Sequence, residues 1–171
     1  MMNQTTVAVR PATESDATSI SALLGELGYS LEVADVQKNI ARLSSSSSDA
    51  VLVAEAASSI VGIVSLHVIP LFHVIGNLGR ISSLVVSFQW QRCGIGRILV
   101  QAVEAFGWSQ GCLRIEVTSG DHRAGAHEFY RNLGYQLDER RFIKGLTAGV
   151  IASLELEATG RPEDPRPRPA S

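Results

Sequence analysis

Apolar and polar positions alternate over Val7 to Arg10 and stop at Pro11, the pattern of a short strand with one buried face. Thr13-Glu14-Ser15-Asp16 then supplies capping side chains and early acids. Behind them Ala17, Ile20, Leu23, Leu24 and Leu27 recur at helical spacing until Gly28 ends the run. Val33, Val36, Ile40 and Leu43 put one apolar face on a second helix, Glu32 to Leu43, and the serines Ser44 to Ser48 read as a flexible connector. Val51 to Glu55, a polar turn near Ser58-Ser59 and Ile60 to Val68 predict a β-hairpin.

Gly79 to Ser87 is a third strand of this block, and its run Leu84-Val85-Val86 predicts burial on both faces. Ile95, Ile98, Leu99, Ala102, Val103 and Phe106 form one stripe on a helix from Gly94 to Phe106. Leu113 to Thr118 reads as a strand, Arg123 to Asn132 as a helix closed by Gly134, and Gln136 to Lys144 as another strand. Val150 to Leu156 is a candidate last strand, and Gly160 to Ser171 holds four of the six prolines, as a disordered tail would. The layout is α/β with a central mixed sheet: one domain over residues 1–158, then a tail over 159–171.

Composition narrows the partners. A 45% hydrophobic, 19% charged chain of 171 residues can bury a core around an internal site. Its formal charge of −2 gives no overall field for nucleic acid or an anionic membrane, so neither is expected as a partner. With no apolar run long enough to span a bilayer and no signal-like start, a cytoplasmic protein is expected. Cys93 and Cys112 form no ligand cluster, which suits a reduced compartment.

Chemistry concentrates in Leu84 to Arg97. A buried strand and the polar loop Ser87-Phe88-Gln89-Trp90-Gln91-Arg92-Cys93 lead to Gly94-Ile95-Gly96 at the start of an amphipathic helix. Glycines let a backbone approach a ligand, and a helix N-terminus aims unpaired N–H groups at one point. Together they suit a pyrophosphate, with Arg92 and Arg97 available for charge-assisted contacts. No Lys-Ser/Thr follows the glycines, which excludes a Walker loop, and Leu99 stands where a dinucleotide fingerprint needs its third glycine.

A second segment follows, Ala126-His127-Glu128-Phe129-Tyr130-Arg131-Asn132-Leu133-Gly134-Tyr135. Gln91-x-x-Gly94-x-Gly96 and then Ala126-x-x-Phe129-Tyr130-x-x-x-Gly134-Tyr135 resemble the GNAT superfamily of acetyl-CoA-dependent N-acetyltransferases. The likeness runs over roughly Val7 to Leu146 and includes a first strand ending Arg10-Pro11-Ala12-Thr13. It implies a mixed, mostly antiparallel sheet flanked by helices and splayed between the fourth and fifth strands. It also implies acetyl-CoA as cosubstrate, with the amides of Gln91, Arg92, Cys93, Gly94, Ile95 and Gly96 on the pyrophosphate. The strand through Leu84, Val85 and Val86 would splay from the Leu113–Thr118 strand with the pantetheine arm between them, and Ala126 and Tyr130 would also meet the cofactor. Tyr130 matches the tyrosine that protonates the departing thiolate in many members. Arg123 replaces the usual asparagine of the CoA-arm contact.

The proton-accepting group is less well marked. Where many relatives carry a glutamate this chain reads Ile81-Ser82-Ser83, which leaves a histidine, Glu55 or a chain of waters. His67 and His73 flank Pro70 where an acceptor pocket is expected, and a histidine can take a proton near neutral pH. Two histidines do not specify a metal site, so no metal is expected. Leu66-His67, His73, Leu84-Val85-Val86, Ala126-His127-x-Phe129-Tyr130 and Arg141-Phe142-x-Lys144 are similar to aminoalkylphosphonate N-acetyltransferases. That implies a small amine, anionic at its far end, for Arg80, Arg123 or Arg141 to meet. A protein lysine or N-terminus is the alternative acceptor, with the loop Ile69 to Leu78 either capping the pocket or leaving an open groove. A silent acyl-CoA sensor is the alternative of another class. The superfamily's habit of pairing implies a homodimer, with Val150 to Leu156 as a candidate edge.

Overall fold

The computed structural model describes residues 6–119 and 124–138. In chain order these form β1 (Val7–Pro11), α1 (Ala17–Glu26), α2 (Val33–Ser44), β2 (Asp49–Ala56), β3 (Ser59–Pro70), β4 (Asn77–Val86), α3 (Ile95–Ser109), β5 (Cys112–Val117) and α4 (Ala124–Asn132). All of these lie in a first unit ending at Gly134; residues 135–138 start a second unit and form no helix or strand. The strands make one mixed sheet in sequence order, β1 to β4 antiparallel and β5 parallel to β4. A parallel neighbour needs a crossover, which α3 supplies. Pro11 ends the edge strand β1, where a missing N–H costs no ladder bond.

Helices cover both faces of the sheet; on α3 the buried face is turned from the expected stripe, with Ile98 exposed and Val100 buried. Ile20 and Leu23 of α1 and Val36 and Ile40 of α2 pack with Val53, Ile63 and Val85 of β2, β3 and β4. Ile95, Leu99, Val100 and Val103 of α3 are fully buried. Gly62 lets α3 close in: a Cβ there would stand 3.0 Å from Leu99 Cδ1 and 3.1 Å from the Val85 carbonyl. Truncating a core leucine such as Leu99 to alanine costs about 2–5 kcal/mol.

Two expectations are corrected. The β3–β4 ladder continues through Ile69↔Leu78 and Pro70↔Asn77, so the long loop expected from Ile69 to Leu78 shrinks to residues 71–76. Pro70 and Asn77 look like loop residues in sequence, but the established register carries pairing through them. The connection is closed by the Leu71 N–H donating to the Gly76 carbonyl at 3.1 Å. The serine run is likewise more ordered than its composition suggests: α2 runs to Ser44, the Val68 N–H donates to the Ser48 carbonyl at 2.8 Å, and β2 starts at Asp49 rather than Val51. Residues 139–144 of the expected Gln136–Lys144 strand, Val150 to Leu156 and the tail lie outside the described residues, and 136–138 form no strand.

Candidate active site

The β4–α3 connection takes the form its glycines and polar residues predict. After Val86, Phe88–Trp90 makes a 3-10 turn, closed by the Trp90 N–H on the Ser87 carbonyl at 2.8 Å. Gln91 Nε2 donates back to the Val86 carbonyl at 3.4 Å, and Arg92 and Gly94 then take left-handed backbone with φ of 61° and 81°. The first helical bond of α3 runs from the Ile98 N–H to the Gly94 carbonyl at 3.1 Å. The N–H groups of Ile95, Gly96 and Arg97 therefore belong to the open end of a fifteen-residue helix. Nothing lies within 4 Å of a Cβ built on Gly94, so that side of the turn is open.

The two glycines do different work. Gly94 supplies the left-handed turn, a conformation that costs a non-glycine residue about 1–2 kcal/mol. Gly96 makes room for α4: a Cβ there would stand 3.2 Å from the Phe129 ring and 3.8 Å from Val86 Cγ2. Val86, the head of α3 and Phe129 are thus brought together, and Tyr130 follows Phe129 with its ring edge-on, centroids 5.1 Å apart. Ala126, His127 and Tyr130 are half-buried on this helix, whereas Arg123 and Arg141 lie outside the described residues.

Sequence reasoning missed the carboxylate beneath the loop. Glu26, at the end of α1, accepts from the Phe88 N–H at 2.9 Å and the Ser87 hydroxyl at 3.3 Å. A cavity of about 310 Å³ lined by Ser19, Glu26, Ile60, Ser87 and Trp90 lies there. It borders Ser87 to Trp90, ahead of the glycines, and not the histidines.

The sheet opens beside β4. Parallel pairs with β5 end at Ile81↔Val117, whereas β4 pairs with β3 as far as Val86. Val85 is buried as expected, but Leu84 and Val86 are only half-buried, because β5 has stopped covering that end of the strand. The opening begins at an irregularity. Ser65 pairs with Ser83 and Leu66 with Ile81, which leaves Ser82 as an extra residue in β4, a bulge that re-aims its side chain.

At this bulge the structure assembles a polar chain. His67 Nδ1 lies 2.5 Å from Asp49 Oδ1, and His67 Nε2 lies 2.7 Å from Ser82 Oγ. Ser82 Oγ is in turn 2.8 Å from Ser65 Oγ. Burial, the largest single influence on the Asp49 carboxyl, pushes its pKa up. Hydrogen bonds from Ser46 and His67, with the charges of His67 and Arg42, outweigh it and hold the pKa below the usual value. Ser65 is buried, Asp49 and His67 half-buried, and Ser82 exposed, so the chain runs from the interior to solvent. Register partners Asp49, His67, Arg80 and Glu116 lie in one row across β2 to β5.

The other candidates are placed elsewhere or already engaged. His73 is exposed on the 71–76 connection, beyond the end of β3 and outside the polar chain. Glu55 is held by Arg10 Nε at 2.9 Å near the opposite end of β2 from Asp49. Arg80 donates to Glu116 at 2.7 Å, a carboxylate that Arg114 also holds, while its Nε is buried without a partner. Cys93 is exposed and Cys112 buried, both as free thiols, and burial raises the pKa of Cys112. Among the described residues no cluster of metal-binding side chains occurs, and no helix is long and apolar enough to cross a membrane.

Asp49, Ser65 and Ser82 were invisible as a group in the sequence. Asp49 lies 18 and Ser82 15 positions from His67, and only strand register and the bulge bring them together.

The chain matches the model of the acetyltransferase (GNAT) family over residues 20–135. No curated protein is a significant match to the sequence. Among solved structures, a transcriptional regulator from Bacillus halodurans C-125 superposes with a TM-score of 0.75 at 21% identity, over 82% of this chain and all of its own (100%). Glucosamine-6-phosphate N-acetyltransferase from Arabidopsis thaliana gives 0.73 at 19% identity, over 83% of this chain and 99% of its own. An aminoglycoside N-acetyltransferase in complex with CoA gives 0.75 at 14% identity, over 85% and 98%. These three likenesses establish a shared fold.

Proposed function

The chain belongs to the acetyltransferase (GNAT) family and is an acyltransferase; from that premise we propose that it moves an acetyl group from acetyl-CoA to a primary amine of a small molecule. The observation that carries the donor is the β4–α3 connection: left-handed Arg92 and Gly94, open space over Gly94 and a long helix that starts at Ile95. These residues fit a CoA pyrophosphate, held by the amides of Gln91 to Gly96 with Arg92 and Arg97 beside them. Half-buried Leu84 and Val86, beyond the last β5 pair among the described residues, suit the pantetheine arm.

Direct transfer asks for a neutral amine, stabilisation of an oxyanion and a proton for the leaving thiolate. Tyr130 is the donor of that last proton in this reading, since an ordinary phenol, with a pKa of about 10, stays protonated at neutral pH. Tyr130→Phe is expected to lower turnover about 10²-fold or more while acetyl-CoA still binds. Unchanged turnover would remove Tyr130 from the acid role.

For the acceptor, two of the structural neighbours are named for small amines, one an amino-sugar phosphate and the other an aminoglycoside. An aminoalkylphosphonate-like acceptor is the finer form of the proposal. Acetyl-CoA is expected to raise the melting temperature, because a ligand that binds only the native state stabilises it. A melting point unmoved by millimolar acetyl-CoA would overturn the donor assignment. Mass analysis of mixtures containing aminophosphonates, amino sugars and lysine peptides should find the N-acetyl group on a small amine; modification of peptides alone would favour a protein acetyltransferase.

A further inference from the structure

We infer that Ser82 and His67 form a proton relay, positioned by Asp49 and Ser65, that takes the proton from the acceptor's ammonium group; the inference rests on the acetyl-transfer reading above. Its position is the first reason. Ser82 is the bulged residue of β4, immediately after Ile81, where β5 pairing ends and the sheet opens. Ser65 and its register partner Ser83 also line a cavity of about 100 Å³ against Ile20, Leu24 and Val36 of α1 and α2. Ser82, the exposed member between His67 and Ser65, thus stands at the opening in the sheet, while the Ser65 end is buried beside an apolar pocket.

Hydrogen-bond direction is the second reason. An ionised carboxylate only accepts, so Asp49 takes the Nδ1–H of His67 and fixes the tautomer with Nε2 unprotonated. The Ser82 hydroxyl then donates to Nε2 at 2.7 Å, and the Ser65 hydroxyl donates to Ser82 Oγ at 2.8 Å. One lone pair of Ser82 Oγ remains to face the opening. The groups facing His67 are Asp49 from β2, Arg80 and Ser82 from β4 and, through Arg80, Glu116 from β5; Arg42 of α2 acts on Asp49. Arg80 pairs with Glu116, a carboxylate it shares with Arg114, so Asp49 is the carboxylate left to balance an imidazolium.

The step conserves atoms and charge. The ammonium N–H bond breaks toward Ser82 Oγ as the Ser82 proton moves to His67 Nε2, giving a neutral amine and an imidazolium paired with Asp49. The amine lone pair forms the C–N bond to the thioester carbon, and the C–S bond breaks. The second proton shed by nitrogen ends on the departing sulfur. His67 returns its proton to solvent, so each turnover releases one proton.

The test compares kcat/KM against pH for the full chain and for His67→Gln, Ser82→Ala and Asp49→Asn, using the amine on which turnover is highest. Binding of acetyl-CoA, read from its melting shift, monitors the fold of each variant. The relay predicts a loss of about 10²-fold for His67→Gln near neutral pH, shrinking as pH rises and the amine deprotonates unaided. The acid limb that a histidine base imposes on the wild-type profile should disappear. Ser82→Ala removes one hydroxyl from an exposed bulge and should produce the same change of profile without loss of the melting shift. Wild-type profiles in both His67→Gln and Ser82→Ala would overturn the relay and leave acetyl transfer standing. Absence of amine-dependent turnover in the wild-type chain would overturn both.

Discussion

Asp16 and Asp49 each anchor a polar network on this sheet, and the two networks are built for opposite ends. Asp16, 8% exposed, is gripped by both Arg10 Nη atoms at 2.8 and 2.9 Å and by the Thr13 N–H at 2.8 Å. Its partner is an arginine that holds its charge at all working pH, and a second carboxylate, Glu55, completes the cluster. Asp49 instead meets a histidine, which can give up or take a proton, and the chain continues through Ser82 to solvent. The Arg10 cluster ties β1 to β2 and to the start of α1 with fixed charges. The Asp49 chain spans β2, β3 and β4 with groups whose protons can move. A fixed-charge network contributes stability, whereas a network with mobile protons and an open end can support chemistry.

That contrast predicts separable losses. Removing the charge of Asp16 should have the largest effect on folding. The Arg10 hydrogen bond is the main cause holding its pKa at about 2 against an ordinary 3.8, with burial acting the other way and Thr13 assisting. A shift of that size corresponds to roughly 2 kcal/mol. Asp16→Asn should therefore lower the melting temperature by about 5–8 °C for a chain of this length and leave turnover per folded molecule unchanged. A lowered carboxylate pKa means that the unfolded state binds the proton more readily. The Asp16 contribution is then complete above about pH 4 and is lost as pH falls toward 2. Acid unfolding followed by circular dichroism should show this loss in the wild type and not in Asp16→Asn.

Asp49→Asn should invert the pattern. Asparagine can still meet His67 but cannot balance an imidazolium, so turnover should fall about 10-fold, equivalent to about 1.4 kcal/mol, with a melting temperature within a few degrees of wild type. If Asp49→Asn instead cost stability and spared turnover, the two networks would be of one kind. Smaller effects are expected at the glycine loop. Gly94→Ala meets no neighbour but strains the left-handed turn by about 1 kcal/mol. It should weaken the melting shift given by acetyl-CoA. Gly96→Ala crowds the Phe129 ring at 3.2 Å and should act through the seating of α4, altering turnover more than acetyl-CoA binding.

What the sequence revealed of all this follows the range of each signal. The β4–α3 connection and α4 are local: Leu84 to Gly96 and Ala126 to Gly134 are consecutive runs, so spacing and resemblance single them out in the sequence. The helix stripes on α1 and α2 were equally readable, because one period orders each core face, whereas on α3 Val100 and not Ile98 is buried. The polar chain was not, since Asp49, His67 and Ser82 come from three strands and depend on a register offset by one bulged serine. In the sequence His67 and His73 stand alike, three residues either side of Pro70. Strand pairing keeps His67 on the sheet and carries His73 out to the connection. Glu26 was hidden for a similar reason, as its partners Ser87 and Phe88 lie 61 and 62 positions away.

The most direct measurement is the release of free CoA thiol from acetyl-CoA by the purified chain across small primary amines, including aminoalkylphosphonates, amino-sugar phosphates and aminoglycosides. Thiol release that requires both the chain and a small amine, with one N-acetyl product formed per thiol, is the predicted result. No amine-dependent thiol from any of these acceptors, in a chain that folds, would contradict acetyl transfer to a small amine.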